Sequence, residues 1–165
     1  VAGASMDRMP DQVDIIIADF DLFTRLEVID LTLNVDANLR ASPPLGTPVD
    51  VGWARANWVP SIGAPKILDA NKRDPTPGDV MARAQLAAQG TNEVLSWRPS
   101  DGAIFVTNNV PYIGALNAGH SPQSPRGFVL TAIEKAVRET NSAGANKAAR
   151  GRRGASARAS KPRPL

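Results

Sequence analysis

The sequence predicts a small single-domain α+β fold. A 4-3-4 apolar spacing marks a long helix near the N-terminus. Two short runs of alternating residues mark strands. Helical stretches fall before, between and after them instead of alternating strictly with strands. The length, 165 residues, suits one domain, and 42% hydrophobic residues suffice for a core. Only 5% are aromatic, so aliphatic side chains must fill most of it.

Residues 1–14 are polar and weakly patterned and read as a flexible arm. From about Ile16 to Leu39, Leu22, Leu26, Ile29 and Leu33 recur on one helical face, and Val28, Leu31, Val35 and Leu39 widen it. Asp19 or Asp21 is placed at the start, as cap or first-turn acid, with Asp14, Asp36 and the other acids on the wet side. Ser42-Pro43-Pro44 stops the helix. Asp50 is read as the cap of a helical turn through Arg55, or as an acceptor in the tight turn at Gly52. Asn57 to Ile62 reads as a strand, and Pro60 favours an edge.

Residues 63–78 are a Pro/Gly-rich loop. Thr76-Pro77-Gly78-Asp79 is an acidic variant of the capping box, opening a helix over about 79–89 that Gly90 ends. Val94 to Trp97 and Ala103 to Asn108 read as the two strands of a β-hairpin. A short helical turn follows Pro111 and breaks at Gly119. A last helix runs from about Gly127 to Glu139, with Phe128, Ala132, Ile133 and Ala136 or Val137 inward.

The net charge of +3 hides a split. Residues 144–165 hold Lys147, Arg150, Arg152, Arg153, Arg158, Lys161 and Arg163 and no acid, whereas residues 1–143 carry 12 bases and 16 acids. The last segment reads as a disordered, low-complexity basic tail for phosphate or an acidic protein surface. Three units result: arm 1–14, assembly domain 15–143 and tail 144–165.

No cysteine is present, which excludes disulfides and thiolate sites and fits a reducing compartment. No apolar run approaches the ~20 residues of a membrane span, and no secretory signal is visible. His120 is the sole histidine, so a multi-histidine metal site is excluded, and no acid stands ready to orient it as a base. Asp69, Asp74 and Asp79 lack calcium-loop spacing, and neither glycine-rich phosphate motif occurs. The expectation is a chain without catalytic residues, metal or cofactor. Trp53 and Trp58 read as core residues, or as one core residue and one partner anchor, with Arg55 between them to stack or pair with an acid. Tyr112 and Leu116 share a helical face.

Two stretches resemble a known family. They are Thr47-Pro-Val-Asp-Val-Gly-Trp-Ala-Arg-Ala-Asn-Trp58 and Val110-Pro-Tyr-Ile-Gly-Ala-Leu-Asn-Ala-Gly-His-Ser-Pro-Gln-Ser-Pro-Arg-Gly-Phe-Val129. In order and separation they resemble the neck and tail-completion proteins of tailed bacteriophages, of the HK97 gp10-like kind, over about residues 15–140. Asp50, Gly52, Arg55 and Trp58 fall on the first pattern, and Tyr112, Asn117, His120 and Phe128 on the second. Trp53 lies inside the first. The family often has threonine at position 51, an acid at 118 and alanine at 124, where this chain has Val51, Ala118 and Ser124.

The resemblance implies a virion structural protein that is not an enzyme, in a closed, sixfold ring at the neck or head-proximal end of the tail, assembled in the host cytoplasm. Implied partners are neck, head-completion, tail-terminator or tail-tube proteins, with no membrane. The tail is left to touch packaged DNA or a neighbouring protein. The alternatives are a tail terminator or other head–tail connector, and an accessory nucleic-acid-binding protein acting through the basic tail.

Overall fold

The computed structural model describes the backbone of residues 9–159 and the side chains of residues 13–144. The chain is α+β, mostly helical, with one small antiparallel sheet. In order come α1 (Met9–Leu39), α2 (Trp53–Ala56), β1 (Trp58–Ile62), α3 (Pro77–Leu95), a 3-10 turn at Pro99–Asp101, β2 (Ile104–Asn108), α4 (Ile113–Asn117) and α5 (Phe128–Ala159).

Helix α1 begins earlier than its apolar spacing suggests, so Asp19 and Asp21 lie inside it and do not cap it. Its inner half supplies the core: Ile29 and Leu39 are buried. Its outer half does not, for Leu22 is 52% and Leu26 38% exposed. Asp36, placed by sequence on the wet side, is buried. It accepts from Arg40 Nε at 2.8 Å, one helical turn on, and Thr91 on α3 reaches its other oxygen at 3.5 Å. Arg40 also donates to the Trp58 carbonyl, so one guanidinium ties α1 to β1. Burial pushes the Asp36 carboxyl above its ordinary range, and the Arg40 charge opposes that shift.

Helix α5 runs antiparallel to α1. Phe128 packs on Leu39, the Asn34 amide donates to Thr140 Oγ1 at 3.0 Å, and Gly144 lies against Glu27. Between these contacts Asn38 donates to Glu139 at 2.9 Å and accepts from Lys135 at 2.7 Å. Lys135 and Asn38 hold the Glu139 carboxyl below its ordinary range. The last helix does not stop near Glu139. Alanine, arginine and lysine are strong helix formers, and no proline intervenes before Pro162, so α5 continues to Ala159 through the segment read as a disordered tail.

Strands β1 and β2 pair antiparallel, with Pro60 opposite Val106. Both strands are edges of a two-stranded sheet, in keeping with Pro60. The expected β-hairpin is absent: Val94 and Leu95 are the end of α3, so β2 pairs with β1 instead. Val80, Ala87 and Val94 keep a helical period across Gly90 and override it as a stop.

Gly90 has a different task. A Cβ there would lie 2.1 Å from the Pro60 carbonyl oxygen, so the bare glycine lets α3 press on β1. Gly90→Ala gains helix propensity but forces these backbones apart. A net loss of about 2 kcal/mol is expected, read by urea unfolding.

The capping box of α3 is present as expected. Asp79 N–H donates to Thr76 Oγ1 at 3.3 Å, and Thr76 N–H donates to Asp79 Oδ2 at 2.8 Å. Lys72 adds an ion pair to Asp79 at 2.6 Å, and the hydrogen bonds from Lys72, and then from Thr76, hold the Asp79 carboxyl well below the usual range. The core has two adjoining parts. Leu39, Trp58, Phe128 and Ala132 form one, Trp53, Ala70 and Val110 the other, and Ile113 packs against both.

Candidate functional site

The segments around 46–58 and 110–129 are far apart in sequence and joined in space. Gln123 grips Val49 twice: the Val49 N–H donates to Oε1 at 2.7 Å, and Nε2 donates to the Val49 carbonyl at 2.8 Å. Beside it the buried Ser124 hydroxyl donates to the Gly46 carbonyl at 2.7 Å. Gly46 is itself confined, since a Cβ there would lie 2.2 Å from the Ala41 carbonyl oxygen. Asn108, at the end of β2, donates to the Ala54 carbonyl at 2.8 Å.

Each segment is also fastened internally. Thr47 donates from its N–H and its hydroxyl to the Leu39 carbonyl, satisfying the end of α1. Trp58 Nε1 then donates to the Thr47 hydroxyl at 2.7 Å. Trp53 Nε1 donates to the Ala70 carbonyl at 3.0 Å, anchoring the 63–76 loop. Both tryptophans are core residues, so neither is a free partner anchor. The cation over the Trp53 ring is Arg83, 5.2 Å from its centroid, and not Arg55.

Asn117 starts α5 from a distance. Its carbonyl accepts from Gly127 N–H at 2.8 Å, and its side-chain oxygen accepts from Val129 N–H at 3.1 Å. Gly52 and Gly127 have φ of 87° and 79°, a left-handed backbone that glycine adopts without a Cβ penalty. Gly52 is the N-cap of α2, so Asp50 does not cap it. Asp50 is exposed at the rim. His120 is exposed, and its backbone N–H, not its ring, closes the turn onto Ala115 at 3.2 Å.

Two grooves flank the Asp50–Gly52 turn. One, of about 280 Å³, lies between Pro48–Ala54 and the side formed by Tyr112, Leu116 and Gln123. Partial burial, and then the Asp50 charge, raise the Tyr112 hydroxyl above its ordinary range. The other, of about 350 Å³, sets Arg55 against Val80 and Ala84 of α3. Arg55 forms no ion pair among the described residues.

The junction thus collects Asp50, Gly52, Trp53, Arg55, Trp58, Tyr112, Asn117 and Phe128 in one body, with His120 on its outer turn. Among the described residues no three His, Cys, Asp or Glu side chains converge as a metal site. Also among them, no helix is long and apolar enough to cross a membrane. The side chains of Lys147, Arg150, Arg152, Arg153 and Arg158 lie outside the described residues, and so do Lys161 and Arg163 entirely.

Comparison with known protein families, with curated proteins and with solved structures finds no match.

Sequence reasoning missed Arg40, Gln123 and Ser124 as joints. The four-residue step from Asp36 to Arg40 was a usable signal for the first. Nothing local marks the other two, because their partners are backbone groups more than 70 residues away. Ser124 stands where the resembled pattern has alanine. Ser124→Ala strands the buried Gly46 carbonyl, and a loss of about 1–2 kcal/mol is expected in denaturant unfolding.

Proposed function

We propose that this chain is a structural subunit of a tailed-phage virion, completing the tail or joining it to the head within a neck ring. The observation that supports this best is the junction itself. The two segments that carry the resemblance are held together by the Gln123–Val49 pair and the Ser124–Gly46 bond, and they present one grooved face. Such a face works by shape and contact. Copies of the chain in a closed ring, sixfold in this reading, would set Asp50, Arg55, Tyr112 and His120 toward neighbouring neck, head-completion, tail-terminator or tail-tube proteins. The basic run of residues 144–165 would reach packaged DNA or an adjacent acidic surface.

Imaging assembled particles, with the chain labelled, tests the proposal. Density for it as a ring between head and tail is the expected result. Particles that complete their necks and tails without it would overturn the proposal.

A further inference from the structure

A cavity of about 380 Å³ lies between α1 and the 3-10 turn, within the roughly 300–1,000 Å³ of small-ligand sites. Asp21, Leu22 and Arg25 form one wall, and Arg98, Pro99 and Ser100 the other. By helical spacing, Leu22 and Arg25 stand on the side of α1 turned away from Glu27 and Asn34, which meet α5.

Two guanidinium groups line this cavity, and neither has an acid. Among the described residues Arg25 and Arg98 form no ion pair. Asp21 sits one helical turn before Arg25, a spacing that suits such a pair, yet the pair is not made. Arg25 turns instead to the end of α3, where Nη2 donates to the Leu95 carbonyl at 3.4 Å, near the limit for a hydrogen bond. That contact leaves its other donors to be satisfied. Its Nε–H is shut off from solvent and has no acceptor among the described residues. A cation held this way has lost hydration and gained no counter-charge, so an arriving anion gains more from it than from a fully solvated arginine. The opposite wall is firmly held. Asp101 Oδ2 accepts from the Arg98 N–H at 2.8 Å, and Trp97 Nε1 donates to the Gly102 carbonyl at 2.8 Å. The Asp101 carboxylate is thus engaged by its own turn and pairs with neither guanidinium.

We propose that this cavity is a phosphate-binding site, with Arg25 and Arg98 as its two forks and the Ser100 hydroxyl as a further donor. A carboxylate is satisfied by one guanidinium fork, whereas the oxygens of a phosphate can be shared between two. Asp21 in the wall opposes the anion, so the bare ion should bind weakly. The volume leaves room for the group that carries the phosphate, either a small molecule or a nucleic-acid backbone. The site uses none of residues 144–165, and it stands whether or not the chain belongs to a phage neck.

The test is titration of the isotope-labelled full chain with sodium phosphate at constant ionic strength, read at the arginine Nε–H signals by NMR. The Arg25 signal is expected to move and saturate, with half-saturation at about 1–10 mM. Arg98→Gln should weaken binding roughly tenfold, and Arg25→Gln at least as much. Arg98 is exposed, so circular dichroism of its variant should show an unchanged fold. Asp21→Asn should tighten binding by about threefold. Arg126→Gln, exposed and outside the cavity, should leave it unchanged. Acetate should bind roughly tenfold more weakly than phosphate. A short DNA duplex that moves the same Arg25 signal, and fails to do so in Arg98→Gln, would identify a nucleic-acid backbone as the source. Saturation by phosphate but not by the duplex would identify a free phosphate compound, and either result supports the site. No saturation by about 50 mM phosphate, equal affinity for acetate, or an Arg98→Gln variant that binds like the wild type would overturn the proposal.

Discussion

Replacing Phe128 with alanine is expected to lower the unfolding free energy by about 3–5 kcal/mol. The ring is fully buried and packs with Leu39, Trp58 and Ala132. It is also the first residue of α5, just after the Asn117 cap, so the cavity opens where the last helix meets both joined segments. Domains of this size hold only about 5–15 kcal/mol in total, so thermal unfolding should move down by roughly 10 °C or more. Phe128→Leu, which nearly conserves volume, should cost less than about 1.5 kcal/mol. Equal losses for the two variants would show that the ring fills no tight site.

Arg40→Ala is expected to cost about 3 kcal/mol near neutral pH, because it leaves the buried Asp36 carboxylate without its cation. The loss should depend on pH in a defined direction. Burial raises the Asp36 pKa above 3.8, so above that value the folded chain holds this proton more tightly than the unfolded chain. Its contribution to stability is therefore greatest in acid and falls as pH rises through the folded pKa. Removing Arg40 raises that pKa further and widens the window. The gap between wild type and variant should be narrow near pH 4 and grow toward pH 7.5 in urea titrations. Glu139 has the opposite sign: its lowered pKa gives stability that is present above 4.5 and lost as pH falls. Combining Arg40→Met with Asp36→Asn should recover much of the loss, since neither side chain is then a buried charge. A gap that is constant with pH would count against ionised Asp36 as its cause.

Much of the fold is legible in the sequence because local chemistry decides it. The α3 cap follows from Thr76 and Asp79, β1 from the alternation around Pro60, and the start of α5 from the glycine and aromatic at 127 and 128. Where tertiary context decides, local pattern misleads. Val94 to Trp97 is a short apolar run that fits a strand or the last turn of a helix, and only the continued burial of one α3 face settles it. Gly90 reads as a stop until Pro60 lies against it. Asp36 reads as a surface acid until Arg40 and Thr91 surround it. The outer half of α1 carries a burial pattern that the isolated chain does not satisfy. The site was legible as two segments, but not as one body, because its fastenings are side chain to backbone bonds across long sequence gaps.

The first and last helices are each other's main partners, and that orders events at the ribosome. Asn34 and Thr140 are separated by 106 residues. At about 5–20 residues per second, a nascent α1 waits roughly 5–20 s before α5 is made to cover it. Throughout that interval Ile29 and Leu39 lie bare beside an outer half that stays exposed even in the finished chain. The growing polypeptide is thus most prone to clump early, and a chaperone acting on it has its target in the first 40 residues.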